Sequence, residues 1–412
     1  MVSNPVYDPY QILYKVYGEK AHLKQAIADT FIEEQYRGRT VKIVYGVLEK
    51  NEYLDFCIKH YAEKSPKLPI RILLKIALYM LLFMGKKKYM VTDCTVEICK
   101  KLGKSGVSGF INAFLRRFDE EAVKNSLPKG EAGEAIVASY PLPFYRRLKR
   151  EYGERAMAIA TATSAGVSVR FSGEKAAEKY ATKAGIKTPF ENNYLYENFV
   201  RDDGYDEGEY TFQSVGSIAI CDCVSAGKNL LDACAAPGGK SVLLSSKFDS
   251  VTSCELHEHR VALIKQYFAR MSVQNAVAMQ ADSSVFNPDF EGKFDAVLCD
   301  VPCSGFGTVT ENPDVKLFRT EEDMKGIDKA QKSILQNCAK YVQKGGALYY
   351  STCSLFEEEN DRQVAAFLAQ NKDFEVEEID SPLAHDKKKF GLQFLPDTAY
   401  GAGFYVSKLR RK

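Results

Sequence analysis

The feature that most constrains this chain is a regular alternation of short apolar runs with longer amphipathic ones, beginning near residue 213. Asn229 to Cys234, Val251 to Glu255, Ala276 to Gln280, Phe294 to Asp300 and Ala347 to Thr352 read as strands. Gly239 to Lys247, Glu258 to Met271, Glu321 to Val342 and Glu357 to Gln370 read as helices at the matching places. Phe294 to Asp300 is nearly all apolar, as a strand covered on both faces must be. Alternation of this kind folds into an α/β, doubly wound parallel sheet. Ligands of such sheets bind outside the carboxyl ends of the strands, so the residues that follow each strand are the ones to search for chemistry.

The rest of the chain is different. Its 412 residues exceed what one core organises. Tyr7 to Asp29, Val41 to Ala62, a third segment with Leu73, Ile76, Ala77 and Met80 on one face, Thr92 to Leu102 and Gly109 to Arg117 have helical periodicity. Residues 1–126 therefore read as an all-α bundle. The turn-rich Ser126-Leu-Pro-Lys-Gly-Glu-Ala-Gly leads into a small α+β module, 127–212. Within it Phe144 to Ala160 and Lys175 to Ala184 look helical, and Val167 to Phe171 and Tyr194 to Val200 look like strands. Residues 213–412 form the α/β domain.

Charge is unevenly shared. Residues 1–117 hold 20 Lys and Arg against 11 Asp and Glu, in a chain balanced overall at 56 against 54. A basic first domain suits a polyanionic partner. Arg37, Arg39, Lys86, Lys87, Lys88, Arg116, Arg117, Arg146, Arg147 and Arg150 are candidates for that surface, each with solvation as its plain alternative. The 11 cysteines include no Cys-x-x-Cys pair and do not share zinc-ligand spacing with the five histidines. They read as reduced thiols of a cytoplasmic protein without a metal site. The amino terminus lacks a signal-peptide pattern, and Ile70 to Met84, interrupted by Arg71 and Lys75, is too short to span a bilayer. No membrane partner is expected.

Five strand ends carry the chemistry. Leu231-Asp-Ala-Cys-Ala-Ala-Pro-Gly-Gly-Lys240 places a tight glycine loop before a helix, an arrangement suited to a carboxylate or phosphate. It is not the Gly-x-Gly-x-x-Gly of dinucleotide sites. Glu255 ends the second strand, where an acid can bind two ribose hydroxyls. Asp282 ends the third, where a carboxylate can meet an adenine amine or simply form a turn. Asp300-Val-Pro-Cys-Ser-Gly-Phe-Gly307 follows the fourth, and Tyr350-Ser-Thr-Cys-Ser-Leu-Phe-Glu-Glu-Glu-Asn360 the fifth. If those two strands are neighbours, Cys303 and Cys353 face one crevice. Cys221-Asp-Cys223 is expected to pack against the sheet, and His257-Glu-His259 to open the following helix.

These strings together resemble the bacterial 16S rRNA cytosine-5 methyltransferases with a fused NusB-like domain. Ala235-Ala-Pro-Gly-Gly-Lys, Asp300-x-Pro-Cys-Ser-Gly and Ser351-Thr-Cys-Ser are similar to that family's cofactor and catalytic motifs. Asn312-Pro-Asp-Val-Lys316, Leu395-Pro-Asp…Gly403-Phe-Tyr-Val and Ile111-Asn-Ala-Phe-Leu-Arg-Arg117 extend the likeness to nearly the whole chain. Val301, Leu317, Ala402 and Gln213-Ser-Val-Gly-Ser depart from the usual pattern. The resemblance implies a Rossmann-like methyltransferase domain behind a NusB-like RNA-binding bundle, acting as a monomer.

It also implies S-adenosylmethionine on Cys234, Ala235, Ala236, Pro237, Gly238, Gly239 and Lys240, with Glu255, Arg260, Asp282 and Asp300 around it. Cys353 would add to carbon 6 of a cytosine and make carbon 5 nucleophilic. Asp300 would stabilise the adduct, and Cys303 would serve in product release. Pro302, Lys316, Arg116 and Arg117 would contact RNA, with 16S rRNA the expected substrate. Two rival readings stand: a cytosine-5 methyltransferase of another RNA, or of DNA with Cys303 as the nucleophile, and a noncatalytic ribosome-assembly factor.

Overall fold

The computed structural model describes residues 4–180 and 184–412. They divide into two compact units, residues 4–161 with Asn312–Phe318, and residues 162–311 with 319–412.

The first unit is all helical. Its centre is the helix Leu68–Leu82, in which ten of fifteen residues are buried. The helices Tyr7–Glu19, Glu34–Glu49, Asn51–Tyr61 and Lys88–Lys101 pack around it. Two long helices anticipated from periodicity are each broken. Lys20, with φ of 57°, caps the first helix in the left-handed region, and a separate helix follows at Leu23–Ala28. Lys50, with φ of −98° and ψ of 20°, divides the second expected helix without entering the left-handed region. Gly46 lets the central helix approach, because a Cβ there would lie 1.9 Å from the ring of Tyr79. Lys75 is only 1 % exposed. Burial pushes its ammonium down from its ordinary value, while an ion pair with Asp55 at 2.8 Å compensates.

The expected module 127–212 is split between the units. The helices Glu131–Ala138, Leu142–Tyr152 and Ala156–Thr161 belong to the first, with Gly153 at φ 56° interrupting the single helix expected over Phe144 to Ala160. The remainder is a four-stranded antiparallel sheet in the second unit: β1 Val167–Phe171, β2 Gly185–Lys187, β3 Asn193–Tyr196 and β4 Tyr210–Phe212, in the order β2-β3-β1-β4. Phe171, Tyr180, Tyr196, Phe199 and Tyr210 form its core. The helix expected over Lys175 to Ala184 is present as Glu174–Lys179, and residues 181–183 lie outside the described residues.

The larger sheet contains β5 Gly227–Asp232, β6 Phe248–Glu255, β7 Ala276–Gln280, β8 Phe294–Asp300, β9 Val342–Thr352, β10 Phe374–Glu377, β11 Asp386–Lys387, β12 Leu392–Phe394 and β13 Phe404–Arg411. Its order is β11-β12-β13-β9-β8-β5-β6-β7, with β10 added beside β13. The five adjacent strands β7, β6, β5, β8 and β9, with β7 at the sheet's edge, are parallel. β10 to β13 pair antiparallel, so the sheet is mixed rather than wholly parallel. Connections run outward in opposite senses from β5 and β8, which makes their carboxyl ends the switch point where a crevice opens.

Candidate active site at the carboxyl edge of the sheet

β8 and β9 are neighbours in parallel register, with Asp300 opposite Ser351. The loops that leave them therefore start side by side. Cys303 lies three residues beyond β8 and Cys353 one beyond β9, and their sulfurs are 3.0 Å apart. The backbone N–H of Cys353 also donates to the Cys303 sulfur at 3.3 Å. Cys303 is 9 % exposed, and Cys353 is half-buried. The thiol–thiol hydrogen bond with the Cys353 side chain, together with burial, pushes the Cys303 thiol well above its ordinary range, against the lowering effect of the Cys353 N–H. Cys303 is thus held as a neutral thiol.

The glycine loop reaches the same place. Lys240 donates to Asp300 Oδ2 at 2.7 Å, and Ser351 Oγ donates to Asp300 Oδ1 at 2.7 Å. One carboxylate thus ties together the loop after β5 and the ends of β8 and β9. Burial works against the Lys240 ammonium, but the Asp300 charge outweighs it and raises its pKa. Gly238, with φ of +106°, makes the turn that no side-chain-bearing residue favours. Gln213, the residue before an atypical serine, lies beside Gly239 and accepts from Arg170 at 2.7 Å.

Glu255 is 5 % exposed and accepts from the His257 N–H at 3.0 Å and from Arg260 at 3.3 Å. Arg260 also reaches the carbonyl of Ala236 at 3.4 Å, so it braces the glycine loop against the end of β6. Asp282 is exposed, and its Oδ1 accepts from the N–H and hydroxyl of Ser284, which is the turn geometry that sequence reasoning held as the alternative. Pro302 is exposed, and its carbonyl accepts from Gln331 at 3.0 Å. Cys221 and Cys223 are core residues, and His257 precedes the helix Glu258–Arg270.

Lys316 requires a correction. It was expected to contact substrate, but it is 5 % exposed and buried in the helical unit. Its ammonium donates to the carbonyls of Glu49 and Ser139 at 2.8 and 2.7 Å, and burial brings its pKa down to about 7. Asp314, two residues earlier, accepts from the N–H of Leu23 at 3.1 Å, at the start of the helix Leu23–Ala28. The segment Asn312–Phe318 is therefore a structural insert, whose fixed donors and acceptors are consumed by helix ends.

Sequence reasoning did not single out Asp232, Arg319 or Glu359. Asp232 is 1 % exposed, accepts from Ser241 at 2.6 Å, and has its carboxyl pushed up to about 6, chiefly by burial. Arg319 donates to the carbonyls of Ser304 and Cys303 at 2.9 and 3.3 Å. Asp232 sits inside a quoted string, and Glu359 in the acidic run after Cys353. The signal for each was present, but nothing local separated them from turn residues.

On the helical unit, Lys86, Lys88, Arg116 and Arg117 line an open hollow of about 570 Å³ together with Leu81, Leu82, Phe118 and the acids Asp119 and Glu120, so that cations outnumber carboxylates there. Arg146 and Arg150, by contrast, pair with Glu131 and Glu151. Arg39 stacks over Tyr36.

A switch-point crevice that offers two thiols, an anchored carboxylate and a glycine turn is the architecture of a Rossmann-like methyltransferase. The family profile described as 16S rRNA methyltransferase RsmB/F matches residues 223–410, and that of the NusB family matches residues 10–120. Over 95 % of its length the chain is 30 % identical to a probable ribosomal RNA small subunit methyltransferase B of Bacillus subtilis, covering 94 % of that protein. It is 26 % identical to ribosomal RNA small subunit methyltransferase B of Yersinia pestis, with 92 % of both chains covered. The crystal structure of PH0851 superposes with a TM-score of 0.82 at 19 % identity, over 99 % of this chain and 98 % of that one. The chain belongs to the 16S rRNA methyltransferase RsmB/F family, with the NusB-type helical domain at its amino-terminal side. Among the described residues no helix is long and apolar enough to cross a membrane.

Proposed function

We propose that this protein moves a methyl group from S-adenosylmethionine to carbon 5 of a cytosine in 16S rRNA through a covalent adduct on Cys353. The observation that carries this reading is the 3.0 Å approach of Cys303 and Cys353 beside an Asp300 anchored by Lys240 and Ser351.

The residues fit the cofactor. Its ribose diol needs an acceptor, which Glu255 supplies at the end of β6, and its cationic end suits the carboxylates of Asp232 and Asp300. Cys234 to Lys240, with the left-handed Gly238, would wrap it closely. Arg260 would hold that loop, and Asp282 would lie at the adenine side. Bound there, S-adenosylmethionine supplies an electrophilic methyl group.

The protein does the rest. The sulfur of Cys353 adds to carbon 6 of the cytosine as a thiolate, and carbon 5 becomes enamine-like and takes the methyl group. Asp300 hydrogen-bonds the ring through that step. Solvent water then takes the carbon 5 proton, the electron pair of that bond restores the 5,6 double bond, and the carbon–sulfur bond breaks to return the Cys353 thiolate, with Cys303 acting in this release. Throughout addition, a neutral Cys303 S–H can donate to the sulfur of Cys353 and favour its thiolate. The cytosine must leave any stack to reach this edge, at a cost of a few kcal/mol. The basic hollow of Lys86, Lys88, Arg116 and Arg117 would offset that through phosphate contacts.

The test is covalent trapping with RNA that contains 5-fluorocytosine, which cannot release its carbon 5 substituent as a proton. Cys353→Ser is expected to abolish the trapped adduct, and Cys303→Ser to retain it. With ordinary cytosine, Cys303→Ser is expected to accumulate adduct. An adduct that survives Cys353→Ser and is lost in Cys303→Ser refutes the assignment and favours the DNA-type arrangement. Absence of S-adenosylmethionine binding by calorimetry would favour the noncatalytic assembly factor.

A further inference from the structure

Neither thiol lies on regular secondary structure, yet the two sulfurs are held at contact distance. Backbone hydrogen bonds from the Cys353 N–H to the Cys303 sulfur and from the Gly307 N–H to Cys353 O contribute, and one side chain joins both loops. Glu359 is 2 % exposed. Its Oε1 accepts from the Ser304 N–H at 2.7 Å and from Gln331 Nε2 at 3.1 Å. Its Oε2 accepts from Ser304 Oγ at 2.6 Å and from Ser354 Oγ. Ser304 immediately follows Cys303, and Ser354 immediately follows Cys353. The backbone carbonyl of Glu359 accepts from Tyr350 on β9 at 2.6 Å, so the residue is itself anchored to the strand. Gln331 also donates to the carbonyl of Pro302, completing the brace on the residue before Cys303.

All four donors to this carboxylate are uncharged. A buried carboxylate without a cation is expensive to maintain, and a smaller apolar contact would fill the space at lower cost. We propose that Glu359 is a positioning residue for methyl transfer, whose carboxylate ties the Cys303 loop to the Cys353 loop and fixes the separation of the two sulfurs. Its charge has a second consequence. A fixed negative charge beside Cys303 disfavours a thiolate there and is among the causes that raise its pKa, after the Cys353 hydrogen bond and burial. Cys303 is thereby kept as the donor of the pair and Cys353 as the acceptor.

This inference rests on Cys353 as the nucleophile, and its test separates the two. Full-length wild type, Glu359→Gln, Glu359→Ala and Cys353→Ser are compared in steady-state methylation and in the pH profile of adduct formation with 5-fluorocytosine RNA. Glu359→Gln keeps an acceptor for Ser304 N–H and Gln331, and the serine hydroxyls can reverse to accept from its amide. It is expected to lose about tenfold in kcat, the worth of one or two weakened hydrogen bonds, with KM for RNA changed less than threefold. Without the charge, Cys303 ionises more easily, so the alkaline fall in adduct formation is expected to move to lower pH. Glu359→Ala is expected to lose about a hundredfold in kcat, as a displacement near 1 Å of a reacting group would. Wild-type kcat in Glu359→Ala, or an unmoved pH profile in Glu359→Gln, overturns the positioning role. Adduct formation in Cys353→Ser overturns instead the reading beneath it.

Discussion

Gly307→Ala is the most demanding test of how the two thiol loops are assembled. Gly307 lies where the loop after β8 crosses the start of β13. A Cβ built on it would be 1.9 Å from the carbonyl oxygen of Gly403 and 2.8 Å from that of Cys353. Carbon and oxygen tolerate no approach much under about 3.4 Å, so the backbones must part by more than about 1 Å. They cannot do so freely, because the Gly307 N–H donates to Cys353 O at 2.9 Å and the Gly403 N–H to Gly307 O at 2.8 Å. The displacement therefore reaches Cys353 directly. Overpacking of this kind costs about 1–3 kcal/mol, or several degrees in Tm for a unit of this size. A shift near 1 Å at the nucleophile lowers kcat about a hundredfold. Steady-state methylation of RNA, with calorimetric unfolding of the same preparations, reads both effects. Gly46→Ala is the matched control. Its Cβ would meet the Tyr79 ring at 1.9 Å in the helical unit, so it is expected to lose stability while keeping kcat within threefold. A Gly307→Ala enzyme with wild-type turnover, or a Gly46→Ala enzyme as impaired in kcat as Gly307→Ala, would refute the reasoning.

Two further predictions follow from charge. Asp232 has a folded-state pKa of about 6 against an ordinary 3.8, so its contribution to stability is present below the ordinary value and lost as pH rises through about 6. That is about 3 kcal/mol across the window, and Asp232→Asn is expected to remove it, as urea unfolding at pH 4 and pH 7 would show. A double change, Arg116→Glu with Arg117→Glu, is expected to weaken RNA binding and flatten its dependence on salt by about two phosphate contacts. Equal salt slopes for wild type and variant would remove the basic hollow from the RNA-binding surface.

The sequence went far on local matters. The alternation of β7 and the helix of Leu73, Ile76, Ala77 and Met80 were legible because side chains repeat every two or 3.6 residues, and β8 was legible as an apolar run covered on both faces. Helix breaks were less so: Lys20 and Lys50 interrupt apolar patterns that continue across them. The split of the 127–212 module was invisible, since its first three helices pack on the bundle while its strands and the helices Glu174–Lys179 and Asp203–Asp206 join the second unit. β10 to β12, of two to four residues each, were too short to read, and nothing in the sequence of β13 showed that it would pair antiparallel with β9.

The chain by itself determined that a glycine loop, three acids and two thiols sit at the ends of strands of one sheet, because those placements follow from order along the chain. Only the tertiary structure decided which of them meet. Cys303 and Cys353 are fifty residues apart and touch because β8 and β9 are adjacent. Glu359 joins their loops, whereas Lys316, read as a substrate contact, is used up on two carbonyls of the helical unit. A buried polar group takes its role from the partners that satisfy it, and those partners are set by long-range packing rather than by neighbours in sequence.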